Sequence, residues 1–126
     1  MAGTGSVSGS VGAIQSLTSQ SFTLNNDGSV VATTGAAVEI VGGDVALDNS
    51  DTITGVSGGF SATTSGAATI VNSGTITTTD NAAVSLTVNS NSDLGNAELR
   101  TITNTGSITS TNGWAVDVSN DQSMDQ

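Results

Sequence analysis

The chain has 126 residues, about the size of one ordinary domain. It carries 11 acidic residues against a single Arg100, a net charge of −10, and it has no Cys, His, Pro or Tyr. Nucleic-acid binding is therefore excluded in practice, because it depends on Lys and Arg that neutralise phosphates, and an anionic membrane surface is disfavoured for the same reason. No apolar run approaches the roughly 20 residues that span a bilayer, so we expect no membrane insertion.

One short phrase recurs along the chain and defines its repeat. It runs from an aliphatic residue through Asn and a turn to a second aliphatic residue, and its copies begin at Leu24, Leu47, Ile70 and Ile102. The first two steps between copies are equal, and the third is longer. A nearly constant period of about 23 residues is typical of repeat architectures, whose units bury their apolar faces against their neighbours.

This period divides a single domain into coils 1–23, 24–46, 47–69, 70–101 and 102–124. The first coil matches the second at the same spacing but lacks the opening phrase. The fourth coil is longer by nine residues, and the excess falls near residues 89–98. Because insertions in repeat proteins usually map to surface loops, we interpret this segment as a loop that leaves the repeat.

Apolar and polar residues alternate within each coil, as in Thr75-Ile76-Thr77, which is typical of strands with one buried face. Like residues recur at the same position of successive coils, so stacked coils would place them in columns about 4.8 Å apart. The sequence therefore predicts an all-β parallel β-solenoid of about five coils. Its predicted core columns are Leu24, Leu47, Ile70 and Ile102; Val7, Val30, Ile53, Ile76 and Ile108; and Leu17, Ile40, Leu86 and Val118.

Coil three departs from this pattern, because Ser61 and Thr63 stand where other coils have aliphatic residues. A one-residue bulge that turns Phe60 and Ala62 inward would restore the core, and the preceding Gly58-Gly59 pair would permit it.

The phrases at residues 72–77 and 102–108, followed by a segment such as Trp114-Ala115-Val116-Asp117-Val118, resemble the passenger repeats of bacterial autotransporters and related large secreted adhesins. The resemblance covers nearly the whole chain and concerns fold more than function. It implies a right-handed parallel β-helix, secretion to the bacterial cell surface, and a structural or adhesive role. No segment resembles the C-terminal barrel of an autotransporter.

Catalysis has few candidate groups, since the chain has no His, Cys or Lys to serve as base or nucleophile. Asp48 and Asp51 are close in sequence, but both lie in the turn phrase, where other copies carry uncharged residues, so we interpret them as solvated turn residues. Gly42-Gly43-Asp44 is a fragment of a calcium-binding nonapeptide repeat, and the EF-hand spacing is absent. We therefore expect a chain that is not an enzyme and needs no cofactor, with structural calcium as the alternative.

The recurring asparagines form a further column, at Asn26, Asn49, Asn72 and Asn104. Asn side chains hydrogen-bond to nearby backbone in turns, and stacked amides can bond to one another as Asn ladders. We predict a structural ladder, with a ligand-binding ridge as the alternative.

If Ile76 points inward, the threonines beside it point outward. The sequence places two outward columns on this side, made of Thr33, Thr54, Thr77, Thr79, Thr109 and Thr111. A flat double row of Thr on a β-solenoid is an arrangement that ice-binding proteins use. The simpler interpretation is that Thr is favoured on exposed strands.

The terminal coils of a solenoid expose strand edges that can pair with another chain, and soluble repeat proteins cap them. Neither residues 1–4 nor residues 119–126 suggest a cap, and the tail could supply the phrase that coil one lacks. We expect either a head-to-tail homopolymer or the continuation of a longer solenoid; no residue cluster identifies a glycan or host receptor. The most consistent function is a structural repeat unit of a secreted bacterial adhesin or extracellular filament.

Overall fold

The computed structural model describes residues 6–9, 14–17, 20–88 and 100–120, and every regular element in these ranges is a β-strand. The strands are β1 Ser6–Gly9, β2 Ile14–Leu17, β3 Phe22–Asn26, β4 Ser29–Ala32, β5 Ala36–Gly42, β6 Val45–Asn49, β7 Thr52–Gly55, β8 Gly58–Thr64, β9 Ala68–Asn72, β10 Thr75–Thr78, β11 Val84–Val88, β12 Arg100–Asn104, β13 Ser107–Ser110 and β14 Val116–Asn120.

Every third strand pairs in parallel, and the fourteen strands build three sheets. Sheet A has the order β1-β4-β7-β10-β13, sheet B has β2-β5-β8-β11-β14, and sheet C has β3-β6-β9-β12. Consecutive strands thus belong to different sheets, and coils two to five each pass once through C, A and B. This confirms the predicted parallel β-solenoid.

The pairing register keeps the repeat period through most of the stack. In sheet A, Val30 pairs with Ile53 and Ile53 pairs with Ile76, each one regular period later. Ile76 then pairs with Ile108, across the longer fourth coil. Sheet B makes the same long step between β11 and β14, so the additional residues lie between Val88 and Arg100. The predicted loop at 89–98 lies outside the described residues.

Stacked aliphatic side chains form one core between the three sheets. Val30, Ile53 and Ile76 are fully buried in sheet A, as are Leu47 and Ile70 in sheet C. Each fully buried aliphatic side chain contributes roughly 1.5–3 kcal/mol relative to its exposed state. Because every coil shields the coils beside it, burial here depends on stacking more than on any single coil.

Coil three keeps its core through a shortened corner. Gly55 and Phe60 are five residues apart, whereas their partners in coil four, Thr78 and Val84, are six apart. Phe60 and Ala62 are consequently buried, as predicted. The register shift comes from one residue fewer in the corner rather than from an extra residue within β8. The backbone amides of Gly59 and Phe60 both donate to the carbonyl of Ala83, at 3.1 and 2.8 Å.

The prediction that Leu17 lies over Ile40 is wrong in register. Ser16 pairs with Ile40, and Leu17 pairs with Val41, whose side chain is exposed. Ile14, at the start of the same strand, packs against the core. Gly9 and Ile14 are five positions apart in the sequence, whereas their partners Ala32 and Val38 are six apart, so the coil-one strand in sheet B is shifted by one residue relative to a uniform period.

Candidate functional site

The four asparagines form a continuous ladder at the end of sheet C. Asn26 Nδ2 donates to Asn49 Oδ1, Asn49 Nδ2 to Asn72 Oδ1, and Asn72 Nδ2 to Asn104 Oδ1, each at 2.7 Å. The first three side chains are buried. Strand geometry explains the placement, because each Asn is the last residue of its strand and lies two positions after a core aliphatic.

The ladder amides also stabilise the turns that follow each strand. Asn49 Nδ2 donates to the carbonyl of Asp51 at 2.9 Å, and Asn72 Nδ2 donates to that of Gly74 at 3.2 Å. Asn26 Oδ1 accepts from the backbone amide of Gly28 at 3.3 Å. The donors and acceptors of Asn26, Asn49 and Asn72 are thus directed to neighbouring coils and turns inside the solenoid, and Asn104 is the exposed end of the ladder. The geometry fits a structural role.

Coil five exposes aliphatic and Asn positions whose equivalents are buried in the inner coils. We call the outer side of β12, β13 and β14 the coil-five edge; within the described residues no strand pairs with it. Val116 and Val118 lie in core columns over Val84 and Leu86, yet they are 38% and 44% exposed. Trp114, just before β14, is 74% exposed. Ile102, Ile108 and Asn104 likewise end their columns there without full burial.

The acidic candidates take no part in a shared site. Asp48 and Asp51 are exposed, as predicted. Asp51 lies in the turn, whereas Asp48 is an outward residue of strand β6 and not a turn residue. Asp44, in the Gly-Gly-Asp fragment, accepts a hydrogen bond from the backbone amide of Ala67 at 2.9 Å and thereby links two corners. Among the described residues, no group of three or more His, Cys, Asp or Glu is arranged to hold a metal ion.

The predicted threonine columns occupy two different settings. Thr54, Thr77 and Thr109 pair with one another on the outward face of sheet A. The other predicted column is not on a strand: Thr33, Thr79 and Thr111 are exposed corner residues that follow β4, β10 and β13.

Sheet A carries a second outward column that sequence reasoning missed. It lies two residues before the first and consists of Ser29, Thr52, Thr75 and Ser107 in register. The signal was present in the phrases Thr52-Ile53-Thr54 and Thr75-Ile76-Thr77, where an inward Ile separates two outward hydroxyl residues. The flat double row therefore lies within the strands rather than across a strand and a corner.

Charge is distributed unevenly over the three outward faces. Sheet B carries Glu39 and Asp117, and sheet C carries Asp48. The outward positions of strands β4, β7, β10 and β13 in sheet A carry only Ser, Thr and one Val. In a chain with a net charge of −10, sheet A therefore presents an uncharged hydroxyl-rich face.

Comparison with protein-family models, with characterised proteins and with solved structures gave no match. No helix within the described ranges is long and apolar enough to cross a membrane.

Proposed function

We propose that this chain is a non-catalytic structural unit that stacks head to tail through the coil-five edge into an extracellular filament. The observation that carries the proposal is the exposure of core columns at that edge. Val84 and Leu86 are fully buried, whereas Val116 and Val118, one coil above them in the same columns, are 38% and 44% exposed.

The backbone of the coil-five edge adds to the apolar surface. Strands β12, β13 and β14 present a row of amide and carbonyl groups on their outer side, and such edges pair readily with further strands. In the inner coils the equivalent groups form inter-coil hydrogen bonds, such as those from the Thr75 amide to the Asp51 carbonyl at 2.7 Å and from the Ser107 amide to the Gly74 carbonyl at 2.8 Å. A further coil would satisfy both the backbone and the side chains.

A second copy of this chain provides a matching coil. In a head-to-tail stack, β1 and β2 of the next copy lie over β13 and β14 of the first copy. Ile14 of the next copy then stands beside Val116 of the first, as Ile14 stands beside Val38 within one chain. The two surfaces differ, so the contact does not close on itself and leads to a fibre. Among the described residues, sheet C has one strand fewer than sheets A and B. The prediction that the tail supplies the phrase that coil one lacks concerns residues 119–126, of which 121–126 lie outside the described residues.

The resemblance to autotransporter and adhesin repeats and the strongly acidic composition support placement in a secreted protein at the bacterial cell surface. Acidic side chains on sheets B and C keep neighbouring filaments apart by repulsion, because like charges at exposed positions disfavour lateral contact. Growth along the axis is favoured by contrast, since the coil-five edge carries aliphatic columns and one positive charge, that of Arg100 over Ala68.

Negative-stain electron microscopy over a range of protein concentrations tests this proposal. We expect filaments from the native chain and only discrete particles from Val118→Lys, because a charged side chain would enter the column of Leu86 and Val118 at the joint. Val41→Lys is the matched control: Val41 is 42% exposed but lies on the outward face of sheet B, away from the edge. Discrete particles from the native chain at every concentration, or equal loss of filaments in both variants, would refute head-to-tail stacking.

A further inference from the structure

We propose that the outward face of sheet A binds ice. The surface in question, the threonine face, consists of two columns of three hydroxyl residues: Thr52, Thr75 and Ser107, and Thr54, Thr77 and Thr109. The proposal does not depend on head-to-tail stacking, although stacking would lengthen both columns.

The threonine face is periodic in two directions. Successive coils repeat about every 4.8 Å along the solenoid axis, and two residues along a strand span about 6.6 Å. The hydroxyls of Thr54 and Thr77 lie 3.5 Å apart across coils, and those of Ser107 and Thr109 lie 3.2 Å apart along the strand. These hydroxyls are closer together than the backbone positions that carry them, so the two-way period of the face is that of its backbone. A crystal lattice of water is a ligand whose own repeat can be matched over several coils at once.

The side chains of the face are held before any ligand arrives. Thr52, Thr54, Thr75 and Thr77 are only partly exposed, and β-branched residues have restricted χ1 angles. Little side-chain entropy is therefore lost when water becomes ordered over them, which is the advantage of a preorganised surface. Each hydroxyl can both donate to and accept from water, and each Thr methyl group limits the water positions between the hydroxyls.

The composition of the face favours ice over a protein partner. Protein interfaces derive most of their affinity from a few large anchors, chiefly Trp, Tyr and Arg, and none of these types stands at the six positions. An ionic ligand is equally disfavoured, because the charged residues Glu39 and Asp117 lie on sheet B and Asp48 lies on sheet C. An uncharged lattice of hydrogen-bonding groups is the partner that such a face complements.

The face is shorter than the solenoid. Coil two continues its columns with Ser29 and Val31, and Ser6 and Ser8 pair with them from coil one. The Thr residues therefore occupy coils three to five, with Ser107 as the single Ser. We expect ice shaping and inhibition of ice recrystallisation to be more readily detected from one copy than a large freezing-point depression.

Nanolitre osmometry and an ice-recrystallisation assay on the native chain test the proposal. We expect faceted ice crystals and slower recrystallisation for the native chain, and loss of most of this activity for Thr77→Lys, which places a long charged side chain in the middle of the face. The matched control is Thr69→Lys, an exposed outward Thr on strand β9 of sheet C, which should retain the native activity. Circular dichroism establishes that both variants keep the strand content.

If Thr77→Lys does not fold, Thr77→Ser and Thr77→Val replace it, because each removes one half of the methyl–hydroxyl pair; we expect each to reduce the activity. Normal ice growth with the native chain would overturn the proposal, as would equal activity of all face variants. Concentration-dependent dimers that disappear in Thr77→Lys but persist in Thr69→Lys would instead assign the face to a second copy of the chain and would also overturn it.

Discussion

Coils two to four and coil five use the same sequence pattern and the same register, yet they differ in burial. Asn72 is fully buried and Asn104 is exposed; Ile70 is fully buried and Ile102 only partly so. Each pair is joined directly in sheet C. The difference therefore comes from position in the stack and not from residue type, because within the described residues the strands of coil five pair with a neighbour on one side only.

The comparison shows where stability resides in this fold. An inner coil receives its apolar burial from two neighbours, so a change in one coil also affects the coils above and below. The coil-five edge has one such neighbour and should tolerate changes that an inner coil cannot. Matched substitutions at paired positions measure this difference, at protein concentrations where copies are separate.

The largest expected effect is that of Ile76→Asp. Ile76 is fully buried between Ile53 and Ile108, so the substitution places an unpaired carboxylate in the core, and we expect a loss of more than about 4 kcal/mol, enough to unfold the chain. Thr77→Asp, one residue later and facing outward, should change stability by less than about 1 kcal/mol. Urea denaturation followed by circular dichroism measures both; similar losses would contradict the inward and outward assignment.

The Asn ladder should show the next largest difference between an inner coil and the edge. Asn49→Ala leaves Asn26 Nδ2 and Asn72 Oδ1 without their amide partners inside the solenoid, and each unsatisfied buried group costs about 1–3 kcal/mol. Asn104→Ala removes a single partner at an exposed position, for which we expect a cost below about 1 kcal/mol. Thermal unfolding of the two variants compares them, and an equal shift in Tm would show that the ladder is no more important inside than at its end.

A smaller difference is expected for Val84→Ala and Val116→Ala, which change one column at directly paired positions. Val84 is fully buried, and the loss of two methyl groups with the resulting cavity should cost about 2 kcal/mol. Val116 is 38% exposed, so its truncation should cost less than about 1 kcal/mol. The midpoints of urea unfolding provide the measurement. A larger cost at Val116 would indicate that the edge is covered even in separate copies.

A last difference, of a size similar to that of the valine pair, probes how closely the inner coils are packed. A Cβ at Gly59 would lie 2.6 Å from both the Ala83 carbonyl oxygen and Ile76 Cγ2, whereas a Cβ at Gly58 has no atom nearer than 3.6 Å. Gly59→Ala should therefore cost about 1–3 kcal/mol through overpacking, and Gly58→Ala should stay within about 0.5 kcal/mol. Calorimetric Tm values would distinguish them, and a neutral Gly59→Ala would mean that the shortened corner of coil three can expand.

The fold could be predicted largely from the sequence because, in a solenoid, the neighbours of a residue stand at the same position of the adjacent coils. The recurring Asn and Ile positions therefore indicated both the register and the core. Corner lengths could not be predicted from a fixed period, since a coil can lose a residue in one corner and regain it in the next. Coil one does so: Gly9 and Ile14 are five residues apart against six for Ala32 and Val38, and Leu17 and Phe22 are five apart against four for Val41 and Val45.

The outward face was predicted less completely for a related reason. If Ile76 faces inward, strict alternation makes Thr77 and Thr79 face outward. However, β10 ends at Thr78 and the chain turns there, so Thr79 is not part of the strand. Alternation predicts the facing of a residue only while the strand continues. Thr52 and Thr75 each stand one residue before an inward Ile. Alternation makes them face outward as well, and both lie within their strands.

The Asn ladder also gives the solenoid a direction. Every amide group donates to the next one toward coil five, from Asn26 through Asn49 and Asn72 to Asn104, so the side-chain dipoles are aligned like those of a single hydrogen-bonded chain, and aligned hydrogen bonds polarise and strengthen one another. The last amide, at Asn104, donates to the Gly106 carbonyl at 3.3 Å, and its second N–H remains to donate beyond the coil-five edge. Two coil-five edges that met face to face would oppose donor to donor, whereas a filament whose units all point the same way would add its dipoles over its whole length and would have chemically distinct ends.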